Sequence, residues 1–252
     1  MDDDQLLRLC HRVVDAVASA LAELDDWQSP GQRPGQFGLD LVADRAALAV
    51  LDGTGLGVLS EESGAHGSHA GLVAVIDPVD GSTNASRGLA WYASSICVVD
   101  TEGPRVAVVA NLANGTRYHA VRGGGAWRGE NSLEPSGCTD MRQAVIGLSG
   151  YPRRHLGWAQ YRAFGAAALD LCAVAEGSLD AFSAVGWAHL GPWDYLGGML
   201  LCTEAGAVVT DLDGGELVSL DHSARRAVAA CATENLLEQL RIGVLPSRPG
   251  HT

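Results

Sequence analysis

The stretch Val75-Ile76-Asp77-Pro78-Val79-Asp80-Gly81-Ser82-Thr83-Asn84 closes an apolar, β-branched run over residues 72–76. Such a run reads as a buried strand, and Asp77-Pro78 ends it. Asp77 and Asp80 are placed to share or bracket metal ions. Pro78 stiffens the turn, and Gly81 removes a side chain where a ligand would approach. Residues 81–84 then open a helix whose free N–H groups suit an anion such as phosphate. By itself the segment is also compatible with a surface turn, because Asp, Pro, Gly and Ser are turn residues.

Working outward, Glu61-Glu62 follows the likely strand residues Val58-Leu59, and Trp193-Asp194 opens a helix spanning 194–205. Taken singly, the first is a solvated acidic pair and the second a helix cap. Taken together, three acidic groups at element ends converge on one pocket. Several anions in one pocket repel unless a cation neutralises them. Hard oxygen ligands in that number select Mg²⁺ or a similar ion.

The remaining pattern alternates helix and strand. Apolar residues at Leu6, Leu7, Cys10, Val13, Val14, Val17, Leu21 and Leu24 give an amphipathic helix over 5–25. A Pro/Gly loop at 28–38 precedes a short helix over 43–51, and 63–71 reads as a polar loop. Strands are expected at 93–99, 105–111 and 116–121, with a Gly-rich turn segment at 122–137. A boundary near 138–143 divides an N-terminal half, 1–140, from a C-terminal half, 141–252. The second half reads as strand 144–149, helix 159–176, strand 179–184, helix 194–205, strands 207–211 and 227–231, and helix 233–241.

Composition narrows the function. The chain has 252 residues, 47% of them hydrophobic, so it can bury a large core. Its formal net charge is −13, and all 17 basic residues are arginine. That balance speaks against nucleic acid and anionic membranes as partners. It leaves open a phosphorylated small molecule, since a bound divalent ion reverses the local field. None of the six cysteines forms C-x-x-C, and several sit in apolar runs, so free buried thiols in a reducing, cytoplasmic setting are expected. No apolar run is long enough to span a membrane.

The chain resembles the inositol monophosphatase family of metal-dependent phosphomonoesterases. The matching stretches are LSEES at 59–63, VIDPVDGSTN at 75–84, RGGGAW at 122–127, GAAALDLCAVAEGSLDAF at 165–182, PWD at 192–194 and TEAGAVVTD at 203–211. The resemblance implies an α/β fold layered αβαβα, with an α+β half, an α/β half and the site between them. It also implies a homodimer. Residue by residue, it makes Glu61 and Asp77, with the carbonyl of Val79, ligands of a first Mg²⁺. Asp77, Asp80 and Asp194 become ligands of a second, and Glu61 touches a third, weakly held ion; Mn²⁺ is an alternative metal. Ser82 takes the place usually held by Thr, and Asp44 matches the aspartate that orients its hydroxyl toward the attacking water. Gly81 and Ser82, with Asp80, Gly165, Ala166 and Ala167, would meet the phosphate and substrate. The implied reaction is hydrolysis of a small phosphate monoester without a covalent enzyme intermediate.

The match departs where the family's inositol-binding enzymes carry a Glu shortly before W-D. Residues 183–192 contain no acid. Trp187 and His189 in that stretch are candidate contacts to a different alcohol, such as a sugar or nucleoside. A pathway-specific phosphatase and a regulatory, partner-binding protein that keeps the fold are the alternatives. His66 and His69 have metal-pair spacing in a loop without a further ligand. Arg153-Arg154 is placed either in solvent or against the second charge of a doubly charged substrate, and Asp211 and Asp213 read as structural.

Overall fold

A computed structural model describes residues 1–68 and 71–244. Helix α1 (Asp3–Ala22) buries Leu6, Leu9, Cys10, Val13, Val14, Val17 and Leu21 along one stripe. Its first turn is closed by a reciprocal cap in which Asp2 accepts the Gln5 N–H. Helix α2 (Gly38–Leu51) packs beside it. It starts five residues before the expected 43, because the Asp40 side chain accepts the Phe37 N–H at 2.8 Å and supplies the start that no residue at the cap position provides.

Both helices cover one face of an eight-stranded sheet. In chain order its strands are β1 (Gly57–Ser60), β2 (Gly64–His66), β3 (Val73–Asp80), β4 (Ala93–Asp100), β5 (Gly103–Asn111), β6 (Arg117–Val121), β7 (Gly125–Arg128) and β8 (Asn131–Ser132). Strand β2 falls in the expected polar loop, of which residues 69–70 lie outside the described residues. β7 and β8 fall in the expected turn segment. The turn before β7 is held by Glu204, whose carboxylate accepts the N–H groups of Gly123 and Gly125.

On the sheet's other face lie α4 (Ala167–Ala175) and α5 (Pro192–Ala205), which also cover a second sheet. Every residue of α4 is buried, as a helix between two layers requires. The two helices approach so closely that a Cβ on Gly198 would lie 2.5 Å from Cβ of Leu171. The second sheet has the order β10-β9-β11-β13-β12, built from β9 (Val145–Gly150), β10 (Gln160–Arg162), β11 (Ala181–Val185), β12 (Val208–Asp211) and β13 (Val228–Cys231). Helix α6 (Glu234–Val244) covers its outer face. The layers therefore run αβαβα. The expected helix over 159–176 is split. Its first part is strand β10, and Gly165, at φ +87°, turns the chain before α4 begins. All six cysteines are free, and five of them are buried.

Candidate active site

Strand β3 is buried along its whole length and ends in the two aspartates. Residues three apart on a regular strand point to opposite faces. Here Asp77 pairs with Ser95 but Asp80 pairs with Ala93, so β3 carries one extra residue between them. Pro78 has no N–H to give the ladder, and the resulting bulge brings Asp77 and Asp80 to the wall of one cavity. The short helix α3 (Ser82–Arg87) follows from Gly81, which sits at φ +86°. A Cβ there would lie 3.0 Å from both Ala166 Cβ and the Gly165 carbonyl oxygen. Conformation and space both require glycine.

The cavity has a volume of about 370 Å³. Its floor holds Glu61, Asp77, Val79, Asp80 and Asp194. One ligand oxygen from each of Glu61, Asp77 and Asp194 lies within 4.8 Å of the others. Each carboxylate is aimed by a backbone amide or an element end. Asp77 Oδ1 accepts the Val79 N–H at 3.0 Å. Asp80 Oδ2 accepts the Ala168 N–H at 2.7 Å, at the start of α4. Asp194 Oδ2 accepts the Gly191 N–H at 2.7 Å, so the same side chain caps α5 and leaves its other oxygen for the cavity. Glu61 directly follows β1, which pairs in parallel with β3.

Crowding these carboxylates away from water raises their proton affinity. Burial first, then the charges of Asp194 and Glu62, pushes Glu61 up to about 8. Burial, opposed by amide hydrogen bonds and reinforced by Asp170 and Glu61, pushes Asp80 up to about 8. Asp194 rises to about 7 through burial and Asp80, and Asp77 rises well above the usual carboxylate range. An all-oxygen donor set that repels itself fits hard divalent cations.

Ser82 lines the cavity, but Asp44, the residue expected to orient its hydroxyl, does not. Asp40 lines the same cavity, where Ser82 opposes the burial that raises its proton affinity. Asp44, one helical turn further on, is buried and accepts the Ser60 hydroxyl instead. The earlier start of α2 is the reason: it puts Asp40, not Asp44, at the helix end facing β3. Asp40 rises to about 6, chiefly by burial.

Gly165 and Ala166 brace Gly81 from behind; with Ala167 they are absent from the cavity lining. Trp187 is 80% exposed and outside the lining. His189 also lies outside it and reaches Asp213 at 3.2 Å. His66 meets Ser63, and His69 lies outside the described residues. Arg154 donates to the carbonyls of Ile242 and Gly243, away from the cavity. Asp211 accepts the N–H groups of Asp213, Gly215 and Ala227, a structural role.

The upper wall comes from segments without a readable motif. Arg33, Pro34, Gly35 and Gln36 lie over the carboxylates. Their loop is tied down by Glu62, which accepts Arg33 Nη2 at 2.6 Å and also Gln36 Nε2. Trp193, His222 and Arg225 complete the lining. The Asn84 amide donates to the carbonyls of Trp91 and Phe164, both at 2.7 Å, which joins the two halves beside the site.

Fold and site together define a metal-dependent phosphoric monoester hydrolase. Residues 52–244 match the model of the inositol monophosphatase family, and the chain belongs to that family. It is 33% identical over 229 residues to a fructose-1,6-bisphosphatase/inositol-1-monophosphatase of Archaeoglobus fulgidus, covering 86% of this chain and 88% of that one. It is 34% identical over 174 residues to the Nus factor SuhB of Escherichia coli, covering 63% of this chain and 64% of the other. A Pyrococcus horikoshii protein described as having similarities to inositol-1 monophosphatase shares the fold at a TM-score of 0.88 and 22% identity, over 97% of this chain and 100% of that one. Among the described residues, no helix is long and apolar enough to cross a membrane.

Proposed function

We propose that this chain hydrolyses a small phosphorylated alcohol at the cavity between its two sheets. The convergence of Glu61, Asp77 and Asp194 carries this reading. Glu61, Asp77, Asp80, Asp194 and the carbonyl of Val79 would hold two or three divalent cations, Mg²⁺ before Mn²⁺. When bound, such ions neutralise phosphoryl charge and acidify the attacking water. The chain's own part is positioning. Asp40 fixes the Ser82 hydroxyl, whose lone pairs accept a hydrogen bond from the water and orient it. Glu61 stands across the cavity as both ligand and polar wall. The N–H groups of Gly81 and Ser82 meet phosphate oxygens. The absence of an acid in residues 183–192 favours a sugar or nucleoside phosphate over an inositol phosphate.

Phosphate release from a panel of monoesters, with Mg²⁺ and with EDTA, tests the reading beside Asp77→Asn. Turnover that needs the metal and is lost in the variant supports it. No turnover on any ester by folded, Mg²⁺-loaded protein would overturn it.

A homodimer is part of the proposal. Trp187 and Tyr151, 80% and 77% exposed, are large aromatic surfaces suited to a second copy. Light scattering of the eluted protein reads its mass directly. The likeness to a Nus factor supports a second, regulatory role, which co-purification of a partner with the untagged chain would reveal.

A further inference from the structure

Segment 212–227 joins β12 to β13 and carries one side chain across to the first sheet. Asp211 closes the loop, accepting the N–H groups of Gly215 near its start and Ala227 at its end. Within the loop Asp221 makes a tight turn. Its carboxylate accepts the Ser223 N–H at 2.8 Å, and its carbonyl accepts the Ala224 N–H at 3.0 Å. Arg225, whose charge also acts on the Asp194 carboxylate, donates from Nη1 to the His222 carbonyl at 2.9 Å. The backbone of His222 is thereby held on the turn, and its side chain stands in the cavity wall.

The imidazole stacks on Trp193, with ring centroids 4.7 Å apart and planes 37° apart. Its Nε2 lies 3.1 Å from the Glu61 carbonyl oxygen. A carbonyl only accepts, so Nε2 carries the proton and donates. The neighbouring bonds show what this one completes. The Glu61 N–H donates to the Ile76 carbonyl at 3.1 Å, which extends the pairing of β1 with β3. The Glu62 N–H donates to Ser60 Oγ at 3.2 Å. A peptide unit is planar, so the unit joining Glu61 to Glu62 is pinned at its N–H by Ser60 and at its carbonyl by His222. With the planes on both sides of its Cα fixed, Glu61 has only its side-chain torsions left to place its carboxylate. The first sheet supplies the holds at Ile76 and Ser60, and the β12–β13 loop supplies the hold at the carbonyl.

We propose that His222 is a positioning residue for Glu61: its imidazole N–H fixes the peptide unit after Glu61, so that cation binding in the cavity depends on the seating of the β12–β13 loop. The proposal rests on the reading of Glu61 as a cation ligand. Without the His222 bond the 61–62 peptide unit is free to tilt, and part of the cation's binding energy goes into ordering it.

Two substitutions separate the contacts of the ring. His222→Phe keeps an aromatic ring for Trp193 and removes the N–H. His222→Gln discards the ring and keeps an N–H donor, its side-chain amide, at similar reach. Mn²⁺ binding to the full, metal-stripped chains is followed by loss of the free ion's paramagnetic resonance signal. His222→Phe should weaken Mn²⁺ binding about three- to tenfold, the loss of one hydrogen bond that supports a ligand. His222→Gln should recover most of that loss. The Mg²⁺ concentration for half-maximal phosphate release should rise in His222→Phe by the same factor. Melts in EDTA should rank the variants the other way, because His222→Gln loses the packing on Trp193 and His222→Phe keeps it. If His222→Gln is the weaker of the two in both measurements, the ring serves packing alone and the proposal falls. Mn²⁺ affinity in His222→Phe equal to that of the wild type overturns it as well. Both of those outcomes leave the phosphatase reading standing while the wild type binds Mn²⁺ and releases phosphate. A wild type that binds no Mn²⁺ removes the cation site and this proposal together.

Discussion

Asp80 and Ala168 lie 88 positions apart in the chain, yet the Asp80 carboxylate accepts the Ala168 N–H at 2.7 Å. A cavity carboxylate of the first sheet is thereby registered against a helix that serves both sheets. Asp80→Asn separates the two tasks of this side chain. The amide oxygen can still accept the Ala168 N–H, so the fold is kept while the charge is lost. The expected outcome is a fall in kcat of about 10²-fold or more, because a charge facing the phosphoryl group is removed. The metal-free variant should melt no lower than the wild type, since one repelling carboxylate is gone. Steady-state kinetics and thermal melts in EDTA check both. A variant that melts far below the wild type would show that the charge itself holds the fold.

The raised carboxylates set a pH dependence whose sign follows from linkage. Glu61 has a reference value of 4.5 and lies at about 8 in the folded protein, while Asp80 and Asp194 move from 3.8 to about 8 and about 7. The metal-free folded state therefore holds protons that the unfolded state has released. Stability from these groups is full below about pH 4 and is lost progressively as the pH rises toward about 8. Divalent cations compete with those protons, so their affinity rises over the same range. Melts between about pH 5 and pH 8 should fall with pH in EDTA, and the gain from added Mg²⁺ should widen with pH. Parallel curves with and without Mg²⁺ would contradict this account.

The carboxylates that meet in the cavity were legible because each sits in a short contiguous signal: an acid after an apolar strand, or an acid opening a helix. The layered fold came from the family resemblance that the ordered set of such signals carries, and not from periodicity, which missed β2, β7 and β8. Those strands are short, glycine-rich or polar, and are made by pairing with neighbours rather than by propensity. The upper wall was not legible at all. His222 meets Glu61 across 161 positions, and Arg225 reaches the cavity from a loop set by Asp211. No local spacing records such a meeting. The exchange of Asp40 for Asp44 has a different cause. Phe37, at the cap position of α2, has no side-chain oxygen, so the helix start is invisible until the Asp40 to Phe37 bond is seen.

That exchange gives a direct comparison. Asp40 faces Ser82 and the cavity, whereas Asp44 is buried against Ser60, whose Oγ also accepts the Glu62 N–H at 3.2 Å. In Asp40→Asn the amide oxygen can still accept the Phe37 N–H, so α2 keeps its start. The cavity carboxylate proposed to orient the Ser82 hydroxyl is gone, and kcat should fall by about 10²-fold. In Asp44→Ala the Ser60 hydroxyl loses its buried acceptor, which costs about 1–3 kcal/mol of stability. The kcat of the protein that remains folded should fall far less than in Asp40→Asn. Phosphate-release kinetics paired with denaturant unfolding of both variants reads the two effects separately. Loss of kcat in the Asp44 variant alone would return the role of Ser82's partner to Asp44 and require α2 to begin later than Gly38 in solution.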